Sequence, residues 1–172
     1  MTELARIRLR TAAWFLFLPV PFLGVVPWWL HRRLEEPFIW NGSLWQWLGA
    51  WLILNGSGLA GWCVNLFNVE GRGTPVPFDP PTRFVISGPY RFVRNPMVIG
   101  LWLVLSGEAI LYQSRAVAIY LLIVVALAAS FVRFVEEPDL ARRFGTAYSS
   151  YKQQVPRWVP RLISGARQPQ KR

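Results

Sequence analysis

Four long stretches of this chain are almost free of charge. Residues 11–30 carry no charged side chain, and neither do residues 37–69. Residues 97–112 are interrupted only by Glu108, and residues 116–132 are uncharged and rich in Leu, Val and Ala. About twenty apolar residues in a helix, rising roughly 1.5 Å each, cross the hydrocarbon core of a bilayer. Lipid offers no hydrogen bonds, so each stretch must satisfy its own backbone, which a helix does. The chain therefore reads as an all-α, polytopic integral membrane protein. With Asn41-Gly42-Ser43 as a loop, the expected spans are 11–30, 44–68, 97–112 and 116–132.

Composition agrees. Charged residues make up 16% of the 172, against about 25% in a soluble domain, too few to coat a globule. A single membrane domain over 1–172 is expected. Pro19, Pro21 and Pro27 should bend the first span or end it early. Arg6, Arg8 and Arg10 before it also suit a signal peptide, but the apolar run is long and no small-x-small cleavage site follows, which favours a retained span. Asn55-Gly56-Ser57-Gly58 is a soft spot in the second span, and Gly56, Gly58 and Gly61 allow another helix to approach closely. Only Gln113, Ser114 and Arg115 separate the last two spans, so these form a tight antiparallel hairpin. One Cys and one His are too few for a structural zinc, haem or iron–sulfur site, and no metal is expected.

The net charge of +10 resembles a nucleic-acid footprint until it is mapped. Arg6, Arg8 and Arg10 precede span one, Arg72, Arg83, Arg91 and Arg94 lie between spans two and three, and nine basic residues follow span four. Only Arg32, Arg33 and Arg115 fall on the other side. The positive-inside rule then places both termini and residues 70–96 in the cytoplasm, with a bacterial cytoplasmic membrane as the expected location. The basic charge is a topology signal and a surface for anionic lipids, including the tail 161–172, and no nucleic-acid partner is expected.

Two polar segments, 70–96 and 133–160, are too structured to be mere connectors. Prolines at 75, 77, 80, 81 and 89 forbid a regular helix in the first. Gly88-Pro89 signals a turn, and Pro96 suits the first position of span three with Asn95 as its cap. Free N–H groups there, with Arg91 and Arg94 beside them, form an anion site, or else a plain capped helix with two snorkelling arginines. The second segment begins Arg133-Phe134-Val135-Glu136-Glu137-Pro138-Asp139. Its carboxylates are a functional candidate at the bilayer exit, or else acids favoured by the dipole at a helix start. After Pro138, Leu140, Phe144, Tyr148 and Tyr151 share one face of an amphipathic helix that Pro156 ends. Asp139 can pair with Arg142 or Arg143. Glu108, the one ionisable group inside a span, is either paired or functional, or else near the outer interface.

Ser87-Gly88-Pro89-Tyr90-Arg91-Phe92-Val93-Arg94-Asn95-Pro96-Met97, a helical hairpin, and then Glu-Glu-Pro-x-Leu-x-x-x-Phe-Gly-x-x-Tyr-x-x-Tyr-x-x-x-Val-Pro-Arg over 136–157 resemble the isoprenylcysteine carboxyl methyltransferase superfamily, which includes the phospholipid N-methyltransferases. The resemblance covers roughly residues 70 to 160. It implies an integral membrane enzyme that uses S-adenosylmethionine without a Rossmann domain, with the cofactor at the cytosolic face and a lipid-like substrate entering from the bilayer. It assigns the cofactor to Tyr90, Arg94, Asn95, Pro96, Gly100, Glu136, Glu137, Leu140, Tyr148 and Tyr151. Asn95 stands where many relatives have His, and Val98 where many have Tyr. Consistently, Gly71-x-Gly73 is followed by prolines and belongs to no nucleotide-binding βαβ unit.

Methyl transfer from a sulfonium is an in-line displacement favoured by a dry site and by positioning. A carboxylate acceptor needs only an anchor, a role that suits Arg133 or Arg94. An amine acceptor, as in a phospholipid N-methyltransferase, must lose a proton, with Glu137 as the expected acceptor. Glu136 is then left to the cofactor's ribose hydroxyls or ammonium, and Trp102, Leu103 and the 140–151 face to excluding water. The expected activity is a methyltransferase on a lipid-like or isoprenoid acceptor. The competing readings are a nicotinamide-dependent membrane reductase and a non-catalytic lipid-binding protein on the same scaffold.

Overall fold

The computed structural model describes residues 2–17, 19–35, 38–75 and 80–160. The basic tail 161–172, and residues 76–79 of the proline-rich segment, lie outside the described residues. The described residues form helices joined by turns and loops, without strands.

The first apolar stretch contains α1 (Glu3–Phe17), a π-helical turn (Pro21–Val25) and α2 (Val26–Leu34). Helix α1 begins ahead of the expected 11–30 span, so Arg6, Arg8 and Arg10 lie on it rather than before it. A widened turn begins at Pro21, which has no N–H to give to an α-helical ladder, and the helix resumes at Val26 with Pro27 in its first turn, so the prolines do not end it early. Ser43 then starts α3 (Leu44–Val69), its hydroxyl accepting the Gln46 N–H at 3.4 Å. The Gln46 side chain accepts the N–H groups of Asn41 and Gly42, each at 3.0 Å, and donates to the Ile39 carbonyl at 2.8 Å. The loop before α3 is thus fastened by one buried amide.

Helix α4 (Pro96–Leu111) returns antiparallel to α3. Gly49 meets Gly107 and Gly56 meets Gly100, each pair separated from the next by two helical turns. A Cβ on Gly56 would lie 2.6 Å from the Gly100 carbonyl oxygen, and one on Gly107 would lie 2.6 Å from that of Gly49. Backbone touches backbone, which only small residues permit. The expected soft spot at 55–58 is continuous helix, and of its glycines Gly56 serves the α4 contact. Gly58 and Gly61 face open space.

A two-residue turn, with Gln113 at φ 52°, leads to α5 (Arg115–Phe131), capped by the Ser114 hydroxyl on the Val117 N–H at 3.1 Å. Helix α5 passes through a second π-helical turn (Val132–Glu136) directly into α6 (Glu137–Gln154). This corrects the expectation of a fresh helix after Pro138. The Glu137 N–H already bonds the Val132 carbonyl, so Glu136 and Glu137 sit within a continuing helical ladder, and the dipole of a free helix start is not what holds them.

Among the described residues, Glu3–Leu34, Leu44–Val69 and Arg115–Gln154 are long and apolar enough to cross a membrane. Helix α4, with 16 residues, is about 24 Å long at 1.5 Å per residue and is the short member of the bundle. The apolar part of the last stretch ends near Val132, and the polar residues beyond it belong outside the hydrocarbon. Leu54, Leu122, Ile123 and Leu127 are exposed, as lipid-facing side chains should be. One end of the bundle holds His31, Ser43 and the α4–α5 turn. The other holds the two polar segments that carry Arg94 and Glu137.

Candidate functional site

At this second end the backbone places a short 3₁₀ turn, Gly88–Arg91, against α3. Gly88 has φ +54°, and a side chain there would press on Leu66 and Trp62, so glycine is required. The turn seats Tyr90 among Cys63, Leu66 and Val85, with its ring stacked on Phe67 at 5.4 Å. Helix α6 covers the same loop through Tyr148, Tyr151, Leu140 and Phe144, which pack with Val155, Phe84 and Ile86. The Tyr151 hydroxyl donates to the Tyr90 carbonyl at 2.7 Å. The four side chains expected on one helical face do pack against the polar loop, but the backbone leaves the helix at Gly145 (φ 51°, ψ −122°) between Phe144 and Tyr148, so they do not lie on one continuous helical face.

Between these layers lies a charge cluster centred on Glu137. Its Oε1 accepts Arg94 Nη1 at 2.8 Å and Arg157 Nε at 2.7 Å, and its Oε2 accepts Arg157 Nη2 at 3.0 Å. Lys152 Nζ stands 3.3 Å from Oε2 at the exposed rim. Burial raises the carboxyl's pKa, but Arg157, Arg94 and Lys152 outweigh it and hold Glu137 below the ordinary carboxylate range. Such a group is a poor proton acceptor, so the geometry does not favour the expected base role for Glu137. Arg94 also bonds the Tyr148 hydroxyl at 3.5 Å, and its backbone N–H bonds the Pro156 carbonyl at 2.9 Å.

Glu136 is the contrasting neighbour. It makes no hydrogen bond or ion pair among the described residues. Burial and the adjacent Glu137 charge push its carboxyl up to about 6. Two carboxylates one residue apart are thus driven in opposite directions, the pattern expected of a pair with divided tasks.

Two donors near the cluster have no partner among the described residues: Arg94 Nε and Trp102 Nε1, both buried. Trp102 stacks on Trp158 at 4.6 Å, and Trp158 follows Arg157 in the chain, so the indole pair borders the cluster. Buried donors without acceptors are costly and rare, and both suit a ligand.

Several site expectations change. Asn95 occupies the N-cap position of α4, but its side chain makes no capping bond; it donates instead to the Arg157 carbonyl at 3.3 Å and ties the two polar segments together. Pro96 does occupy the start of α4. Gly100 faces α3, where a side chain would meet Gly56 and Ala60, so helix packing accounts for it. Tyr90 and Tyr151 are engaged with one another and with the loop. Arg133 is exposed, over the Phe134 ring at 5.4 Å, and takes no part in the cluster. Asp139 pairs with Arg142 at 3.2 Å and with Arg143 at 3.6 Å, as its spacing predicts. Arg157, Lys152 and Trp158 had been given no role. The signal for Arg157 was its place as the last residue of the Val-Pro-Arg motif.

A family model described as Phospholipid methyltransferase matches residues 44–147. That interval runs from the start of α3 into α6 and includes Arg94, Glu136 and Glu137. No curated protein and no solved structure matches the chain.

Proposed function

The chain belongs to the phospholipid methyltransferase family, and on that footing we propose that this integral membrane methyltransferase takes its methyl group from S-adenosylmethionine and passes it to a lipid-like acceptor at the Glu137 end. The observation that carries the reading is the cluster itself: one buried carboxylate among three cations, with Arg94 Nε left over.

The donor set fits the cofactor. Arg94, Arg157 and Lys152 outnumber Glu137, so the cluster has positive charge to spare for a carboxylate, and Arg94 Nε supplies an unused donor. Trp102 and Trp158 offer an aromatic wall, and Trp102 Nε1 an unused N–H, for a purine. When bound, S-adenosylmethionine supplies an electrophilic methyl on a positively charged sulfur. Tyr148, Tyr151, Phe84 and Phe144 shield the cluster from water, which strengthens its electrostatics. With its basic segments at the cytoplasmic surface, the site faces the cell interior, and the acceptor arrives from the bilayer alongside α4 and α5.

A carboxylate acceptor requires only binding and alignment. An amine acceptor, as in an ethanolamine head group, requires a proton acceptor as well, and Glu136 favours that second reading. Its side chain has no partner among the described residues and a carboxyl near 6, so at neutral pH it is ionised and more basic than an ordinary glutamate.

The test is calorimetric binding of S-adenosylmethionine to the purified protein in detergent, followed by transfer of labelled methyl to candidate lipid acceptors. Saturable binding that weakens in Trp102→Phe, with transfer that slows in Glu136→Gln, supports the reading. A folded wild-type protein that binds no S-adenosylmethionine rejects it and favours the lipid-binding alternative.

A further inference from the structure

The end of the bundle away from Glu137 holds an open cleft of about 830 Å³, lined among others by His31, Arg33, Glu35, Phe38, Tyr112 and Arg115. His31 is 6% exposed. Its ring stacks on Tyr112 at 4.9 Å, and its Nδ1 lies 3.2 Å from Glu35 Oε2. The other carboxylate oxygen of Glu35 accepts the Ala116 N–H at 3.1 Å. Burial opposes ionisation of Glu35, but bonds from Ser114 and Ala116 outweigh it and keep the carboxyl below its ordinary range. Its charge is thus committed to His31 and the start of α5.

These contacts explain His31 as a clamp between α2 and the hairpin, yet they use only Nδ1 and the ring face. Nε2 is buried and has no partner among the described residues. Arg33 and Arg115 line the same cleft, are exposed, and have no carboxylate partner among the described residues. The site at Glu137 makes no use of any of the three. Exposed Trp28, Trp29, Trp40, Trp45 and Trp47 lie on the surrounding elements, where aromatic side chains mark the head-group level of a bilayer.

We propose that this cleft is a second binding site, which takes the phosphate group of an anionic ligand between Arg33 and Arg115 with His31 Nε2 as its buried hydrogen-bond donor. In the imidazolium both ring nitrogens donate, Nδ1 to Glu35 and Nε2 to the ligand. The phosphodiester of a lipid head group and free phosphate share this chemistry, and the tryptophan collar gives the lipid access from the adjoining leaflet.

The experiment titrates the full chain in neutral detergent with dihexanoyl phosphatidylglycerol and, separately, with inorganic phosphate. Binding is read by intrinsic tryptophan fluorescence and calorimetry. Arg33→Gln with Arg115→Gln should weaken binding about tenfold or more, and His31→Gln several-fold, by loss of charge-assisted hydrogen bonds. Arg142→Gln, at the other end, should leave it unchanged. The double arginine variant removes exposed side chains and leaves the His31–Glu35 contact in place, so its loss of binding is not a loss of fold. Saturation by both probes supports a phosphate site open to either source, and saturation by the lipid alone supports a head-group site. No saturable binding of either probe, or binding indifferent to the two arginines, overturns the proposal.

Discussion

Arg94 Nη1 and Glu137 Oε1 lie 2.8 Å apart across 43 residues of sequence, with side chains only 10% and 7% exposed. The pair fastens the loop that enters α4 to the helix that leaves α5. Arg157, from a third segment, holds the same carboxylate on both oxygens. Glu137 is therefore first a structural keystone, whatever it also touches.

Glu137→Gln should be costly. It leaves Arg94 buried against a neutral amide, and removing one partner of a buried pair typically costs about 3–5 kcal/mol. The expected result is a clear drop in thermal midpoint in detergent, with loss of S-adenosylmethionine binding. The wild type should show the matching pH dependence. Because the folded carboxyl lies below its ordinary 4.5, its contribution is complete above that value and disappears as pH falls through the folded pKa. Thermal midpoints between pH 3 and 6 check the sign.

Glu136 has the opposite sign. Its folded carboxyl titrates near 6 rather than 4.5, so ionising it costs stability as pH rises through that window. Glu136→Gln should therefore melt at or above the wild-type midpoint at pH 7, by up to about 2 kcal/mol. If the acceptor is an amine, the same variant should lose roughly 10²-fold or more in transfer rate, along with the rise in rate through pH 6. A variant less stable than wild type and equally active would show Glu136 to be an ordinary structural acid.

The apolar helices were legible because charge-free runs admit few alternatives in lipid, and α3 ends within a residue of the expected 44–68, whereas α1 starts at Glu3, ahead of the expected 11. The Gly56 approach could be read from the residue type, but its partner Gly100 could not, since antiparallel register is set by contacts made across the bundle. Tyr148 and Tyr151 followed from helical spacing. What they cover did not, because the 80–92 loop has no periodicity to pair with them. The divided pKa values of Glu136 and Glu137 were beyond reach for a similar reason. That of Glu137 depends on Arg157, which lies twenty residues away on a segment with no regular pattern, and that of Glu136 on burial and on the Glu137 charge.

The glycine seam yields a paired prediction. Gly56→Ala and Gly107→Ala place a methyl against backbone carbonyls at 2.6 Å, and backbone cannot rotate aside. Each should cost about 1–3 kcal/mol through helix separation. Gly58→Ala, on the same helix but facing open space, should be neutral, or stabilising by about 0.5–1 kcal/mol through helix propensity. Thermal unfolding of the three variants compares the α3–α4 seam with the open face of α3.

Tyr151→Phe removes only the hydroxyl that reaches the Tyr90 carbonyl at 2.7 Å. The ring stays packed on Phe84 at 5.2 Å, so no cavity opens. The carbonyl loses a partner in a buried setting, at a cost of about 1–3 kcal/mol. Hydrogen exchange should locate that loss in the 88–92 turn, with the α3–α4 seam still protected. Equal loosening of both regions would mean that the turn and the seam unfold as one unit.

Trp102→Phe separates a ligand contact from a packing contact. The smaller ring can still stack on Trp158, whereas the indole N–H disappears. That N–H is buried without a partner among the described residues, so its removal relieves a desolvation penalty in the free protein and offsets part of the lost packing. If the N–H exists for packing alone, the variant should lose stability and bind S-adenosylmethionine normally. If it donates to the ligand, stability should change little while affinity falls about five- to tenfold, the worth of one hydrogen bond. Calorimetric titration beside a thermal melt reads both quantities on one preparation, and we expect the second outcome.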